Sequence, residues 1–173
     1  MKAMYLLIML LPLAFIQPAE AQKLSKEEKA AQAAKEWEGT RQLIEGRQFN
    51  IEINQVYPQS GRDVSRFNPR GKITVRDSIA EGYLPFFGRA YRLPYGEGGG
   101  IEFDAPMQEV KFDITEKKKN RKITFSFKVP GKDDFYQISI ESMGGYNCSI
   151  NLISNNRTQI SYSGTISPLE EKE

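Results

Sequence analysis

Apolar and polar residues alternate along most of the second half of the chain. Five segments between residues 110 and 166 carry an apolar side chain at every second position, with charged or polar side chains between them. The apolar positions are Val110, Phe112 and Ile114; Ile123, Phe125, Phe127 and Val129; Tyr136, Ile138 and Ile140; Tyr146, Cys148, Ile150 and Leu152; and Ile160, Tyr162 and Ile166. Because successive side chains of a β-strand point to opposite faces, this period of two predicts five strands with one buried face each.

Turn-forming residues occupy the gaps between these strands. The pairs at 130–131, 144–145 and 155–156 are Pro-Gly, Gly-Gly and Asn-Asn, and residues 117–120 are Lys-Lys-Lys-Asn. Short gaps of this kind join neighbouring antiparallel strands as hairpins. The five strands are therefore predicted to form an antiparallel meander that is solvated on one face. The basic cluster at 117–122 is interpreted as a solvated hairpin tip.

A weaker alternation before residue 110 predicts further strands. They are marked by Phe49, Ile51 and Ile53; by Ile73 and Val75; by Ile79 and Tyr83; and by Ile101 and Phe103. About eight strands must bury one continuous apolar face, which a closed or folded-over sheet achieves. We predict a mainly β protein whose antiparallel meander forms a lipocalin-like or half-open barrel. A barrel of this size either holds one small ligand or is filled by its own side chains, and the pattern leaves both possibilities open.

One helix is predicted before the first strand, within residues 22–46. Ser25 and Glu28 form a capping-box pattern, and Gly46 is a natural stop. The apolar stripe between them consists of alanines until Trp37, the single tryptophan of the chain. We expect the Trp37 end of the helix to pack on the sheet and the first turns to be loosely held.

The first 21 residues have the pattern of a signal peptide. Lys2 precedes an apolar stretch at 5–16, and Ala-Glu-Ala at 19–21 matches a cleavage site. The stretch is short for a membrane span, and no cysteine follows it to carry a lipid anchor. We expect a periplasmic or secreted protein that starts at Gln22 and has no membrane span after cleavage. Residues 47–167 are expected to form the β domain, and 168–173 a disordered charged tail.

Composition excludes several classes of function. The 24 basic and 22 acidic residues nearly balance, which argues against nucleic acid or an anionic membrane as the main partner. The absence of histidine excludes Ser–His and Cys–His catalysis and the usual zinc and copper sites. Cys148 is the single cysteine, so no disulfide forms within the chain, and its place on an apolar face predicts a buried, inert thiol. We expect no cofactor and no metal.

Residues 83–106 interrupt the alternation with aromatic residues, prolines and glycines. Two arginines stand among the aromatic residues, and such a mixture can bind a ligand through stacking and cation–π contacts. The predicted ligand-binding residues are Phe86, Arg89, Tyr91, Arg92 and Tyr95. The alternative is that these rings plug the end of the barrel as part of the core.

Carboxylates in the same region are the one candidate for catalysis. Glu102 and Asp104 lie two residues apart on a predicted strand, on the face opposite Ile101 and Phe103, and Glu97 lies in the glycine-rich loop before them. Two carboxylates on one face can bind calcium or act as an acid/base pair. Alternation places them on the solvated face, so we expect them to be exposed. The glycine-rich loop leads into a strand, not a helix, and is interpreted as a flexible turn and not as a phosphate site.

The motifs at 84–91, 94–106 and 156–164 resemble those of the domain-of-unknown-function family 4251, secreted proteins of the Bacteroides group. The resemblance covers roughly residues 35–167. The family implies an envelope or secreted β-rich protein without established catalytic residues. We therefore expect an uncharacterised exported module of the cell envelope, and we favour a non-enzymatic binding or structural protein over an enzyme. Its partner would be a small amphiphilic or carbohydrate ligand or an envelope protein. A carboxylate-dependent glycan-active hydrolase is the alternative.

Overall fold

The computed structural model describes residues 25–61, 64, 67, 70–91, 99–117, 120–132 and 134–169. In this part of the chain, one helix precedes nine strands. They are α1 (Lys26–Glu45), β1 (Gln48–Pro58), β2 (Lys72–Arg76), β3 (Ile79–Leu84), β4 (Ile101–Pro106), β5 (Gln108–Lys117), β6 (Asn120–Pro130), β7 (Phe135–Ser142), β8 (Asn147–Ser154) and β9 (Ile160–Pro168).

All nine strands belong to one antiparallel sheet with the order β4-β3-β2-β1-β9-β8-β7-β6-β5. The predicted meander is confirmed as β5 to β9, and β1 to β4 form a second meander that joins it where β1 pairs with β9. Both edge strands are adjacent in the chain, since only Met107 separates β4 from β5. The sheet therefore curls into a half-barrel, which confirms the predicted fold class with one strand more than the eight or so expected.

The concave face of the sheet is filled by side chains of the strands themselves. Phe49 and Phe125 meet edge to face with ring centroids 6.0 Å apart, and Phe125 and Phe127 lie 5.5 Å apart. Glycines allow the largest rings to reach the backbone, because a Cβ at Gly82 would lie 2.3 Å from the ring of Phe103. These rings leave less than a tenth of their surface exposed. Of the two outcomes that the sequence left open, the packing of the described strands favours the filled barrel.

Helix α1 covers the end of the sheet where β1 begins and β9 ends. The predicted capping box is present, with the Glu28 amide donating to Ser25 Oγ at 3.2 Å, and Gly46 is the C-cap. The buried residues of the helix are Trp37, Thr40 and Ile44, whereas residues 26–35 are exposed. The predicted packing of the Trp37 end is confirmed. Its indole Nε1 donates to Glu116 Oε1 of β5 at 3.2 Å.

Four apolar positions differ from the alternation that predicted them. Ile79 and Tyr83 of β3 are 46% and 52% exposed, because Ala80 and Leu84 occupy the buried face of that strand. Phe112 is exposed because β5 is an edge strand. Tyr146 precedes β8 instead of lying within it, and it is also exposed.

Cys148 is buried, as expected, and its Sγ lies 3.6 Å from the carbonyl oxygen of Gly164. Burial raises the pKa of the thiol to about 12. The thiolate, which is the reactive form, is therefore scarce in the folded protein at neutral pH.

The predicted signal peptide and the end of the predicted tail lie outside the described residues. Strand β9 ends at Pro168, next to the predicted domain boundary at 167. Within the described part of the chain, α1 is too polar to be a membrane-spanning helix.

Candidate functional site

The first part of the aromatic run is held as a rim segment, residues 85–91, on the end of the sheet opposite α1. Three hydrogen bonds attach it to the β8–β9 connection. The amide of Tyr91 donates to the Asn156 carbonyl at 2.7 Å, and the amide of Thr158 donates to the Arg89 carbonyl at 2.9 Å. The amide of Arg89 in turn donates to Thr158 Oγ1 at 3.1 Å. These bonds attach an irregular segment through its backbone, as a short strand pairing would.

Gly88 allows this close approach. A Cβ at this position would lie 2.3 Å from Thr158 Oγ1 and 2.5 Å from the Phe86 ring, distances that real Cβ atoms do not show. A larger residue would therefore require Thr158 Oγ1 and the Phe86 ring to move. Glycine avoids this displacement where the two segments meet.

Arg157 lies beneath the rim segment and is 4% exposed. Its guanidinium carbon lies 5.1 Å from the centroid of the Phe86 ring, and Nη1 donates to the Gly99 carbonyl at 3.2 Å. Nearby, Tyr162 Oη donates to the Pro85 carbonyl at 3.1 Å. Burial raises the pKa of the Tyr162 phenol, and the positive charge of Arg157 partly opposes that rise. A buried cation and a buried phenol therefore support the segment from below.

The predicted ligand-binding residues occupy different environments. Phe86 is half-buried against Arg157, whereas Arg89 is exposed and Tyr91 is 67% exposed. The inner side of the segment thus packs on the sheet, as the alternative interpretation expected, while its outer side presents a guanidinium and a phenol to solvent. Arg92 and Tyr95, the remaining two predicted residues, lie outside the described residues.

A second candidate site lies on the outer side of the sheet. The Tyr83 groove, as we name it, has a volume of about 720 Å³ and runs between β2–β4 and the β6–β7 turn. Its lining residues are Lys72, Thr74, Glu81, Gly82, Tyr83, Glu102, Phe103, Asp104, Ala105, Pro130, Gly131 and Lys132. The turn closes one wall of the groove, because the amide of Lys132 donates to the Glu102 carbonyl and Gly131 bridges to Phe103.

Tyr83 supplies the aromatic surface of this groove. Its ring lies over Gly100, where a Cβ would approach Tyr83 Cε2 to 2.9 Å, and half of the side chain is exposed. In the sheet, Tyr83 stands between Lys72 of β2 and Glu102 of β4. The ring is thus fixed on one side, open on the other, and flanked by one cation and one carboxylate.

Carboxylates line the neighbouring row of the groove. Glu81 and Asp104 are directly paired across β3 and β4, and Glu81 also meets Arg76 at 3.4 Å. Glu102 and Asp104 are exposed on the outer face, as predicted, and Glu97 lies outside the described residues. Among the described residues, no three potential ligand side chains are grouped closely enough to hold a metal ion.

Sequence reasoning did not identify Arg157 or the groove. Arg157 falls within a motif of the family resemblance, but an arginine that follows a turn resembles any surface cation. The groove forms because Tyr83 lies on the outer face of β3. The residues at 80 and 82 on the buried face are small, so the alternation did not show which face of β3 is buried. The available signal was Gly82 paired with Phe103, because a large ring opposite a glycine indicates the buried face.

Fold and surface together define a mainly β half-barrel protein with a filled interior. The family model described as a domain of unknown function, DUF4251, matches residues 31–166. The chain belongs to this family. A solved structure that resembles it is the crystal structure of a DUF4251 family protein from Bacteroides eggerthii, with 23% sequence identity and a TM-score of 0.54. The match covers 80% of this chain and 91% of that chain, and at this identity the likeness concerns the fold alone. No curated protein matches the chain.

Proposed function

We propose that this protein is an exported, non-enzymatic module of the cell envelope that binds carbohydrate in the Tyr83 groove. The observation that carries the proposal is the half-exposed Tyr83 ring, held against Gly100 in a groove lined by carboxylates. The filled interior supports the choice of an external site, because rings such as Phe103 occupy the space that an internal ligand would need.

The chemistry of the groove suits a sugar. The face of an aromatic ring attracts the weakly positive C–H groups of a pyranose, and a fixed ring loses little entropy on binding. Carboxylates accept hydrogen bonds from hydroxyl or ammonium groups. Glu81, Glu102 and Asp104 outnumber the cations Lys72 and Lys132 in the lining, so neutral sugars and amino sugars fit better than anionic ones.

Exposure of the carboxylates favours binding over hydrolysis. A glycosidase needs one carboxylic acid in apolar surroundings that keep it protonated. The side chain of Glu81 is 58% exposed, and Glu102 and Asp104 are also exposed. No described carboxylate of the groove has the dry environment of a general acid, so the hydrolase remains the weaker alternative.

Export is proposed from the N-terminal pattern. Lys2, the apolar stretch at 5–16 and the Ala-Glu-Ala site predict cleavage before Gln22. Fractionation of the producing cell and N-terminal sequencing of the purified protein test this point. A chain that retains Met1 and stays in the cytoplasm would contradict export.

The binding proposal is tested by calorimetric titration with three probes of different charge. These are oligomers of N-acetylglucosamine (neutral), of glucosamine (cationic) and of galacturonic acid (anionic). We expect the neutral or the cationic oligomer to bind and the anionic one not to bind. Tyr83→Ala should weaken binding roughly five-fold or more, since an aromatic contact is worth about 1 kcal/mol beyond its buried area.

Tyr57→Ala is the matched control, because Tyr57 is also a strand tyrosine that is 52% exposed but does not line the groove. It should leave the affinity unchanged. If none of the three oligomers binds, or if both variants bind alike, the groove is not a carbohydrate site. Loss of binding only in an Arg89→Ala/Tyr91→Ala variant would move the site to the rim segment.

A further inference from the structure

Strand β5 is an edge strand whose apolar row is partly exposed, since Phe112 is exposed whereas Val110 and Ile114 are partly buried against the core. Among the strands that the structure describes, it pairs with β6 alone. Phe112 is 38% exposed, although its partner Phe125 on β6 is 1% exposed. An edge of this kind presents free backbone N–H and C=O groups that can pair with another strand.

The opposite edge of the sheet is not equally available. Strand β4 is bridged at Phe103 by Gly131, and its Glu102 carbonyl accepts a hydrogen bond from the amide of Lys132 at 3.3 Å. The two edges therefore differ: the β6–β7 turn partly covers β4, whereas no described residue outside β6 pairs with the centre of β5.

We propose that β5 pairs antiparallel with β5 of a second copy of this chain, in a register centred on Phe112. The order Lys111-Phe112-Asp113 is self-complementary about its central residue. In this register, Lys111 of each copy stands opposite Asp113 of the other, and Val110 stands opposite Ile114. Opposite charges and apolar pairs facing each other stabilise neighbouring strands.

Neighbouring registers lack this complementarity. A centre on Lys111 or on Asp113 would place two identical charges directly opposite each other, which destabilises a strand pair. A centre on Ile114 would place Lys111 opposite Lys117. The charge pattern of β5 thus favours the register centred on Phe112 over these neighbouring registers.

Two structural features confine the pairing to the centre of β5. At its start, the pairing with β6 shifts register between Gln108 and Lys111, and Glu109 has a positive φ of 48°. At its end, the Glu116 side chain accepts the Trp37 Nε1 hydrogen bond and so contacts α1, although it is 49% exposed. The bulge and the contact with the helix thus flank residues 111–114 of the edge.

Charge-swap variants test the pairing by sedimentation of the purified protein over a range of concentrations. The native protein should dimerise reversibly. Lys111→Asp and Asp113→Lys should each weaken dimerisation roughly ten-fold or more, since each replaces two attractive pairs with two repulsive ones. The combined variant Lys111→Asp/Asp113→Lys should dimerise again, and a mixture of the two single variants should form a heterodimer.

Disulfide trapping gives a second measurement that does not depend on charge. Phe112→Cys should form a covalent dimer on mild oxidation, because residues directly opposite in antiparallel strands lie within disulfide range. The control is Ile153→Cys, which is exposed on β8 away from the sheet edge. A monomer at every concentration, equal oxidation of both cysteine variants, or no restoration in the combined variant would overturn the proposal.

Discussion

At one end of the sheet, α1 packs Trp37, Thr40 and Ile44 against the strand ends, whereas at the other end the irregular rim segment is attached by backbone hydrogen bonds. The helix satisfies its own backbone groups, so its contribution is mainly apolar burial. The rim segment has no internal pairing, so its polar groups need partners on the β8–β9 connection and a glycine that permits the approach. The attachment of the regular element, α1, thus depends on the volume of its buried side chains. The attachment of the irregular rim segment depends on backbone geometry.

The largest expected effect is therefore at the helix end. Trp37→Ala should lower the free energy of unfolding by about 3–5 kcal/mol, because it removes a buried aromatic side chain and leaves a cavity. Urea unfolding followed by circular dichroism measures the change. Gln32→Ala, in the exposed part of the same helix, should stay within about 0.5 kcal/mol of the native value. A loss below about 1 kcal/mol for Trp37→Ala would mean that α1 contributes little to the core.

In the rim segment, the second-largest effect is expected from a substitution that adds a side chain at Gly88. Gly88→Ala should destabilise the protein by about 1–3 kcal/mol, since its Cβ would collide with Thr158 Oγ1 and the Phe86 ring. Gly99→Ala is the control, because a Cβ there meets no atom within 4 Å. Equal stability of the two variants in urea unfolding would show that the rim segment adapts easily and does not act as a fixed cap.

The helix end of the sheet could be predicted from the sequence, whereas the position of the rim segment at the other end could not. Local signals specified α1: the capping box, Gly46 and the burial of Trp37 are all readable within about 20 residues of sequence. The partners of the rim segment lie about 70 residues away, and no local pattern connects Gly88 with Thr158. Its position arises only when β3 and β9 are placed in one sheet, so Arg157 could not be assigned to it beforehand.

The strands show a related limit. Alternation identified β5 to β9 because their apolar residues are large, as at Phe112, Phe125 and Tyr136. It located β3 but not its buried face, since Ala80 and Gly82 are small and the ring of Phe103 fills the space above them. The buried face of β3 could be recognised only from the volume of the Phe103 ring on the neighbouring strand β4. For that reason the Tyr83 groove, which lies on the outer face, could not be predicted.

Between the two ends of the sheet, the buried Cys148 thiol should make the free energy of unfolding depend on pH. Burial raises the pKa of Cys148 to about 12, whereas a thiol in an unfolded chain has a pKa of roughly 8.5. Below the unfolded value both states are protonated and stability is unaffected. Above it the unfolded chain loses the proton first, so the free energy of unfolding should fall by about 1–2 kcal/mol between pH 8 and pH 10. Cys148→Ala should show a shallower slope in urea unfolding over this range, and identical slopes would contradict a buried thiol.

The smallest effect is expected on the outer side of the rim segment. The variant Arg89→Ala/Tyr91→Ala should change the free energy of unfolding by less than about 0.5 kcal/mol, because both side chains are exposed. The backbone bonds to Asn156 and Thr158 do not need either side chain and should persist. Urea unfolding of this double variant is compared with that of Gly88→Ala. Only Gly88→Ala, which changes the inner side of the rim segment, should destabilise the protein. Marked unfolding of the double variant would assign the whole rim segment to the core and exclude it as a ligand platform, whereas native stability leaves its outer side available for binding.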